Sequence, residues 1–230
     1  MAILAMERHG VLHEQAMALG VGAGLELTTF YLTNFMRWVF ATDLYVGAEH
    51  WQTDAPLAML TNPETLSPIP FRPRRLVTQH MDGRCLRYED ASFDVIYSSS
   101  SIEHFGDWDD VVAAAREMGR VLKPGGLLTV STEYRIGGEG KGILPAILMF
   151  STAELYSLII EPSGLTPVDT PQFSISKKTL SCVVPSAELR GVFERIRRGE
   201  PAQWTTYPHI VLEDQGYTWT SYHLALVKEV

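Results

Sequence analysis

The stretch from Ser92 to Ser131, SFDVIYSSSSIEHFGDWDDVVAAAREMGRVLKPGGLLTVS, leaves this chain few ways to fold. Phe93 to Ser98 is a short apolar run bounded by turn residues, which predicts a buried strand, and Leu127 to Ser131 predicts a second. Between them Val111, Ala115, Met118 and Leu122 recur at i, i+4, i+7 and i+11, the apolar stripe of a helix over Asp109 to Lys123. Asp107, with Asp110 three residues on, suits the positive end of that helix. Pro124-Gly125-Gly126 ends it, because proline cannot continue the hydrogen-bond ladder and glycine accepts left-handed backbone. Strand, helix, strand in this order is one βαβ unit of a parallel sheet.

The alternation continues upstream. Ala16 to Val21 predicts a first strand running into Gly22-Ala23-Gly24, after which Leu27, Phe30, Tyr31 and Phe35 form a helical stripe. Val39 to Thr42 predicts a second strand ending at Asp43, and Leu76 to Gln79 a third ending near Asp82-Gly83. Leu57 to Phe71 carries Pro63, Pro68 and Pro70, so a short helix and then an irregular connection are expected there. Ser151 to Asp169 reads as a helix ended by Gly164 and a following strand, and Ser221 to Lys228 as the last strand. The expected fold is therefore α/β, a doubly wound and mostly parallel sheet with right-handed crossovers, whose ligand lies at the carboxyl ends of the strands.

Composition narrows the partners. The 230 residues suit a single domain over 1–230, with Gln172 to Thr220 longer than a hairpin requires and so read as containing an insertion. A net charge of -8 disfavours nucleic acid, which needs concentrated Lys and Arg, and the clusters Arg72/Arg74/Arg75 and Arg195/Arg197/Arg198 read as solvated surface. Cys85 and Cys182 are too few for a disulfide scaffold, which fits a reducing, cytoplasmic setting. The apolar run Ile143 to Phe150, interrupted by Pro145, is far shorter than the ~20 residues of a membrane-spanning helix, so no membrane partner is expected.

The candidate chemistry gathers at the predicted strand ends. In Gly20-Val21-Gly22-Ala23-Gly24-Leu25-Glu26 a glycine-rich strand-to-helix turn lets a ligand approach the backbone and presents the first helical N–H groups; a plain tight turn is the competing account. Asp43 follows Gly24 by 19 residues, near the offset at which an acidic residue meets ribose hydroxyls, a spacing that suits a nicotinamide dinucleotide as well as other nucleosides. Ser98 to Ser101 offers four hydroxyls at the end of the fourth strand, able to line a polar pocket or donate to a cofactor. Glu103 and His104 follow, and histidine is the residue type suited to act as a base near neutral pH. GGEGKG at Gly137 to Gly142 lacks the phosphate-loop spacing, and His9 with His13 lacks the signature of a zinc site. Trp204, Tyr207, Tyr217 and Trp219, and the segment Gly137 to Phe150, are the candidate substrate walls, with core packing the alternative for the aromatic residues.

The wording of the central block, a strand of the FDxVxS type, an EH pair, a helix and LKPGGxLxxS, resembles the class I S-adenosylmethionine (SAM)-dependent methyltransferases, in their small-molecule branch similar to the ubiquinone/menaquinone-biosynthesis enzymes. The resemblance implies a Rossmann-like seven-stranded sheet with an antiparallel last strand, and SAM as cofactor. It implies SAM contacts from Gly22, Gly24, Asp43 and Ser98, with Asp82 near the adenine amino group and Gly83 giving backbone contacts. Glu103 and His104 become the catalytic candidates, as a base or as residues that position the loop. The family's turn has an acidic residue two before the first glycine; here Gly20 stands there, and Glu26 stands where the third glycine would be. This departure either moves the acidic contact to the SAM amino group onto Glu26 or weakens cofactor binding. The acceptor implied is a small or saccharide-like molecule with an O or N nucleophile. A non-catalytic SAM-binding domain acting through a protein partner, or a nicotinamide-linked oxidoreductase, are the competing readings.

Overall fold

The computed structural model describes residues 1–46, 55–145, 147–201 and 211–230. Helix α1 (Ala2–Arg8) precedes β1 (Met17–Val21), α2 (Leu27–Leu32), β2 (Trp38–Asp43), α3 (Ala58–Thr61), β3 (Leu76–His80) and β4 (Phe93–Ser99). Then come α4 (Trp108–Val121), the long β5 (Leu122–Gly137), a hairpin of β6 (Ile143–Leu144) and β7 (Ile147–Leu148), and a helical segment of α5 (Thr152–Glu154), a π-helical stretch (Leu155–Ile160) and α6 (Glu161–Ser163). The chain ends with β8 (Thr166–Pro167), α7 (Lys177–Leu180), β9 (Val183–Pro185), α8 (Ser186–Arg197), β10 (Val211–Asp214) and β11 (Tyr217–Val227).

The strands form one sheet in the order β3-β2-β1-β4-β5-β11-β10-β9, with β8 also pairing β11. Strands β1 to β5 are parallel and β11 runs antiparallel to β5, so the order reverses between β1 and β4, on either side of the first glycine turn. The expected seven strands are β1 to β5, β8 and β11. β9 and β10 widen the sheet, and with α7 and α8 they come from the segment read as an insertion.

Two side-chain layers hold the sheet. On one face Ala18, Val39, Ala41, Val95, Tyr97 and Leu127 pack with Met6 of α1 and Leu32 of α2. On the other, Leu19, Val21, Ile96, Leu128, Val130 and Leu224 pack with Val111 and Met118 of α4 and with Leu155 and Ile159. Helix α4 carries the expected capping box: Asp107 accepts from the Asp109 and Asp110 N–H groups, and Asp110 accepts from the Asp107 N–H. It ends two residues earlier than the periodicity predicts, because Leu122 already pairs with Phe93 as the start of β5. Lys228 of the last segment donates to the Gly119 and Leu122 carbonyls at 2.8 Å, which satisfies the end of the helix. Helix α2 stops at Leu32, so Phe35 lies beyond it. Among the described residues no helix is long and apolar enough to cross a membrane.

Candidate active site

The site is assembled where β1 and β4 end. Gly22 adopts φ 66° directly after β1, a left-handed conformation that strains any residue with a Cβ. The turn is also tight: a Cβ at Gly22 would lie 2.6 Å from the Ser101 side chain, and one at Gly83 would lie 2.8 Å from Phe105 and from Val21. Ser101 Oγ stands 2.6 Å from the Gly22 carbonyl, tying the glycine turn to the loop after β4. Asp43 at the end of β2 holds the same turn from the other side, with Oδ2 accepting from the Gly24 N–H at 2.8 Å and Oδ1 from Leu44 N–H at 2.6 Å. Burial raises the Asp43 carboxyl above its ordinary value, and those two N–H groups oppose the shift. Each carboxylate oxygen keeps a lone pair for a further donor.

Glu26 is the N-cap residue of helix α2 but makes no side-chain capping bond there, and its carboxyl lies against this cluster. Burial pushes its carboxyl up to about 8, the Ser99 hydrogen bond lowers it, and the nearby Asp43 raises it further. Its Oε1 is buried without a partner. The reason for the unusual Gly20 is also visible. A Cβ there would come within 2.6 Å of the Tyr97 ring, which fills the space beside the strand and bonds through its hydroxyl to Thr29 Oγ1 at 2.8 Å. A carboxylate at position 20 has no room, and Glu26 brings one in from the following turn.

Asp82 is engaged in an ion pair. Arg84 contacts both of its oxygens, at 2.9 and 2.7 Å, and reaches Asp110 at 2.9 Å, so the guanidinium holds the Asp82 carboxyl below its usual range. Ser98 is fully buried with its Oγ unpartnered. Glu103 sits in a 3₁₀ turn (Ile102–His104), 1% exposed, where Oε2 accepts from Thr132 Oγ1 at 3.0 Å and Oε1 has no partner. Burial first, and the neighbouring Glu133 second, push its carboxyl up to about 8. Glu133 itself is raised to about 7 by burial. His104 is half-buried at the end of the same turn, its N–H donating to the Ser101 carbonyl at 2.8 Å.

The structure thus brings Gly22, Gly24, Glu26 and Asp43 together with the Ser98 to Ser101 strand end, while Asp82 and Gly83 border it beside Phe105. Residues 19–130, which include the whole of this cluster, match the family model described as a methyltransferase domain. Over these residues, just under half of its length, the chain carries a methyltransferase domain of the class I SAM-dependent kind. Its cofactor is SAM, and the residues present fit that group: Glu26, near Asp43, keeps a buried carboxyl oxygen without a partner, and Asp43, a carboxylate with spare lone pairs, closes the end of β2.

Sequence likeness extends to 27-O-demethylrifamycin SV methyltransferase of Amycolatopsis mediterranei (strain S699), 29% identical over 106 residues, which cover 40% of this chain and 36% of that protein. The chain therefore spans well under half the length of this curated relative. Two solved structures share the fold. A protein of Galdieria sulphuraria provisionally assigned as a sarcosine dimethylglycine methyltransferase superposes with TM-score 0.65 at 19% identity, covering 99% of this chain and 84% of that one. The [4+2]-cyclase SpnF superposes with TM-score 0.62 at 17% identity, covering 100% and 80%.

Of the proposed substrate walls, Trp204 and Tyr207 lie outside the described residues. Trp219 and Tyr217 pack with Leu144, Ile147 and Met149 of the β6–β7 hairpin, so the aromatic tail and the Gly137 to Phe150 segment form one small apolar cluster. Sequence reasoning placed Tyr97 only as part of the fourth strand's end and passed over Thr29, Glu133 and His223. Tyr97 and His223 lie inside predicted strands, where alternation alone gives the face but not the contact.

Proposed function

We propose that this protein transfers the methyl group of SAM to a small-molecule acceptor through an oxygen or nitrogen nucleophile. The observation that carries the reading is Glu26, a carboxyl group drawn into the glycine turn in place of the family's usual acid and left with an unpartnered buried oxygen. Bound there, SAM supplies an electrophilic methyl on a sulfonium sulfur. Gly22 and Gly24 offer backbone against the methionine portion, Glu26 takes the ammonium, Asp43 accepts from the ribose hydroxyls, and Ser98 stands beneath the strand end. Asp82 accepts from the adenine amino group with the lone pairs that Arg84 leaves, and the Gly83 backbone lies beside it.

The protein's further contribution is alignment, together with acceptance of a proton if the nucleophile carries one. His104 is the proposed proton acceptor. Glu103, buried under the loop and bonded to Thr132, positions that loop. Calorimetric titration with SAM and with S-adenosylhomocysteine tests the reading directly. Micromolar binding of both, weakened in Glu26→Gln, is the expected result; binding of NADH and not SAM would assign the cleft to hydride transfer.

A further inference from the structure

The polar groups around the carboxyl edge extend past the cofactor cleft. His223 of β11 places Nδ1 3.1 Å from Ser131 Oγ of β5, and its Nε2 is buried with no partner. A hydrogen-bonding atom shut off from water and left unpaired is uncommon in a folded protein and calls for a reason. The cofactor residues give none, since His223 is two strands away from β4.

Register supplies the connection. Ser99 pairs with Ser131 and Ser131 with His223, so the three side chains point to the same face of adjacent strands. This is the face of Tyr97, and Ser99 stands close enough to Glu26 to lower its carboxyl. Glu26, Ser99, Ser131 and His223 therefore form one polar row leading from the cofactor carboxylate across β4 and β5 to β11. At ~4.8 Å per strand, His223 lies roughly 10 Å from Ser99, within the span of one small molecule.

The chemistry of the row selects the ligand. Burial first, and the nearby Met1 ammonium second, push the His223 imidazole down to about 4, so the ring is neutral at physiological pH. The cofactor end of the row carries Glu26 and Asp43, which repel a carboxylate or phosphate, and the Met1 ammonium near His223 disfavours a cation at the other end, so a neutral ligand suits both. A hydroxyl both donates and accepts, so it satisfies Nε2 in either tautomer of the ring. We propose that Ser131 and His223 form the acceptor subsite, with His223 Nε2 holding a neutral hydroxyl of the small molecule whose nucleophile meets the methyl group at the end of β4. This inference rests on the methyl-transfer reading above.

The test pairs neutral acceptors (phenol, catechol, glycerol, methyl glucoside) with anionic counterparts (4-hydroxybenzoate, 3,4-dihydroxybenzoate, glycerol phosphate, glucuronate), following methyl transfer from labelled SAM. The neutral members are expected to be preferred, and the best of them is carried into variants. His223→Asn keeps an amide near the Nδ1 position for Ser131 but loses the group at Nε2, whereas His223→Gln restores a polar group there. Asn is expected to raise the acceptor KM about tenfold with SAM affinity unchanged, and Gln to recover most of that loss. In protein saturated with S-adenosylhomocysteine, catechol should shift the His223 ring nitrogens in ¹⁵N spectra. Preference for the anionic members, equal KM in the wild type and Asn variant, or no ring shift with any neutral probe would each overturn the subsite. A protein that does not bind SAM would instead overturn the methyl-transfer reading, and the subsite with it.

Discussion

Binding of SAM should be coupled to loss of a proton from Glu26, and the size of the effect follows from its environment. With its carboxyl at about 8, Glu26 is ~90% protonated at pH 7 in the free protein. The ammonium of SAM favours the carboxylate, so binding at pH 7 releases ~0.9 proton. The deprotonation costs about 1.4 kcal/mol at pH 7 and about 2.7 kcal/mol at pH 6, since each unit is worth 1.36 kcal/mol. The Kd for SAM should therefore fall nearly tenfold from pH 6 to pH 7, about fivefold more from pH 7 to pH 8, and flatten above pH 8.

Calorimetry in buffers of different ionisation enthalpy reads the released proton directly, and the same titrations give Kd against pH. Glu26→Gln removes the titrating group but retains a neutral acceptor. Charge-assisted hydrogen bonds contribute ~1.5–3 kcal/mol, so the variant should bind about 10- to 100-fold more weakly at pH 8 yet nearly as well as wild type at pH 6. A Kd that does not change between pH 6 and 8, with a binding enthalpy independent of buffer, would refute the pairing of Glu26 with the ammonium.

Three other perturbations separate the roles around it. Asp43→Ala removes the acceptor for the Gly24 and Leu44 N–H groups together with the proposed ribose contact, so SAM affinity should fall tenfold or more by calorimetry; unchanged affinity would remove Asp43 from the cofactor site. Glu103 has a folded-state value of about 8, above its unfolded value near 4.5, so its share of stability is complete below pH 4.5 and is lost as pH rises toward 8. Glu103→Gln keeps the bond from Thr132 and should gain about 3 kcal/mol at pH 7, roughly 6–12 °C in Tm, and nothing at pH 4.5; equal Tm at pH 7 would refute the buried-acid account. His104→Ala should lower turnover by ~10²–10⁴ with SAM affinity retained if the residue takes the acceptor's proton, and near-normal turnover with an unchanged pH profile would leave it a loop-shaping role alone.

The strands and helices that carry the cofactor cleft were legible because each has a local signature. Phe93 to Ser98, the Asp107 cap and the α4 stripe depend on spacing within a few residues, and the structure reproduces them to within two positions. The far edge was less legible. Its last strand starts at Tyr217 and not Ser221, because Tyr217 to Trp219 pair with the added β10 as a hairpin across Gln215-Gly216, and an apolar pattern gives a strand's face but not its pairing partner. The same limit applies to Ser131 and His223, which are 92 positions apart in sequence and meet only through strand register.

The departure at Gly20 shows how such a long-range contact can look like a local defect. Read in sequence, a glycine in the acidic position of the turn suggests a weakened cofactor site. In the fold it is the consequence of Tyr97, 77 residues later by position and on the neighbouring strand, whose ring lies where any side chain at position 20 would go. The Tyr97 hydroxyl in turn fixes Thr29 in the first turn of α2, and α2 begins immediately after Glu26. Glycine, tyrosine, threonine and glutamate thus form one arrangement in which the ring occupies the usual place of the acid and the helix start delivers a carboxyl group from the other side. A side chain restored at position 20 alone would not recreate the family pattern; it would collide with Tyr97, displace the β1–β4 contact and disturb the placement of Glu26 at the same time.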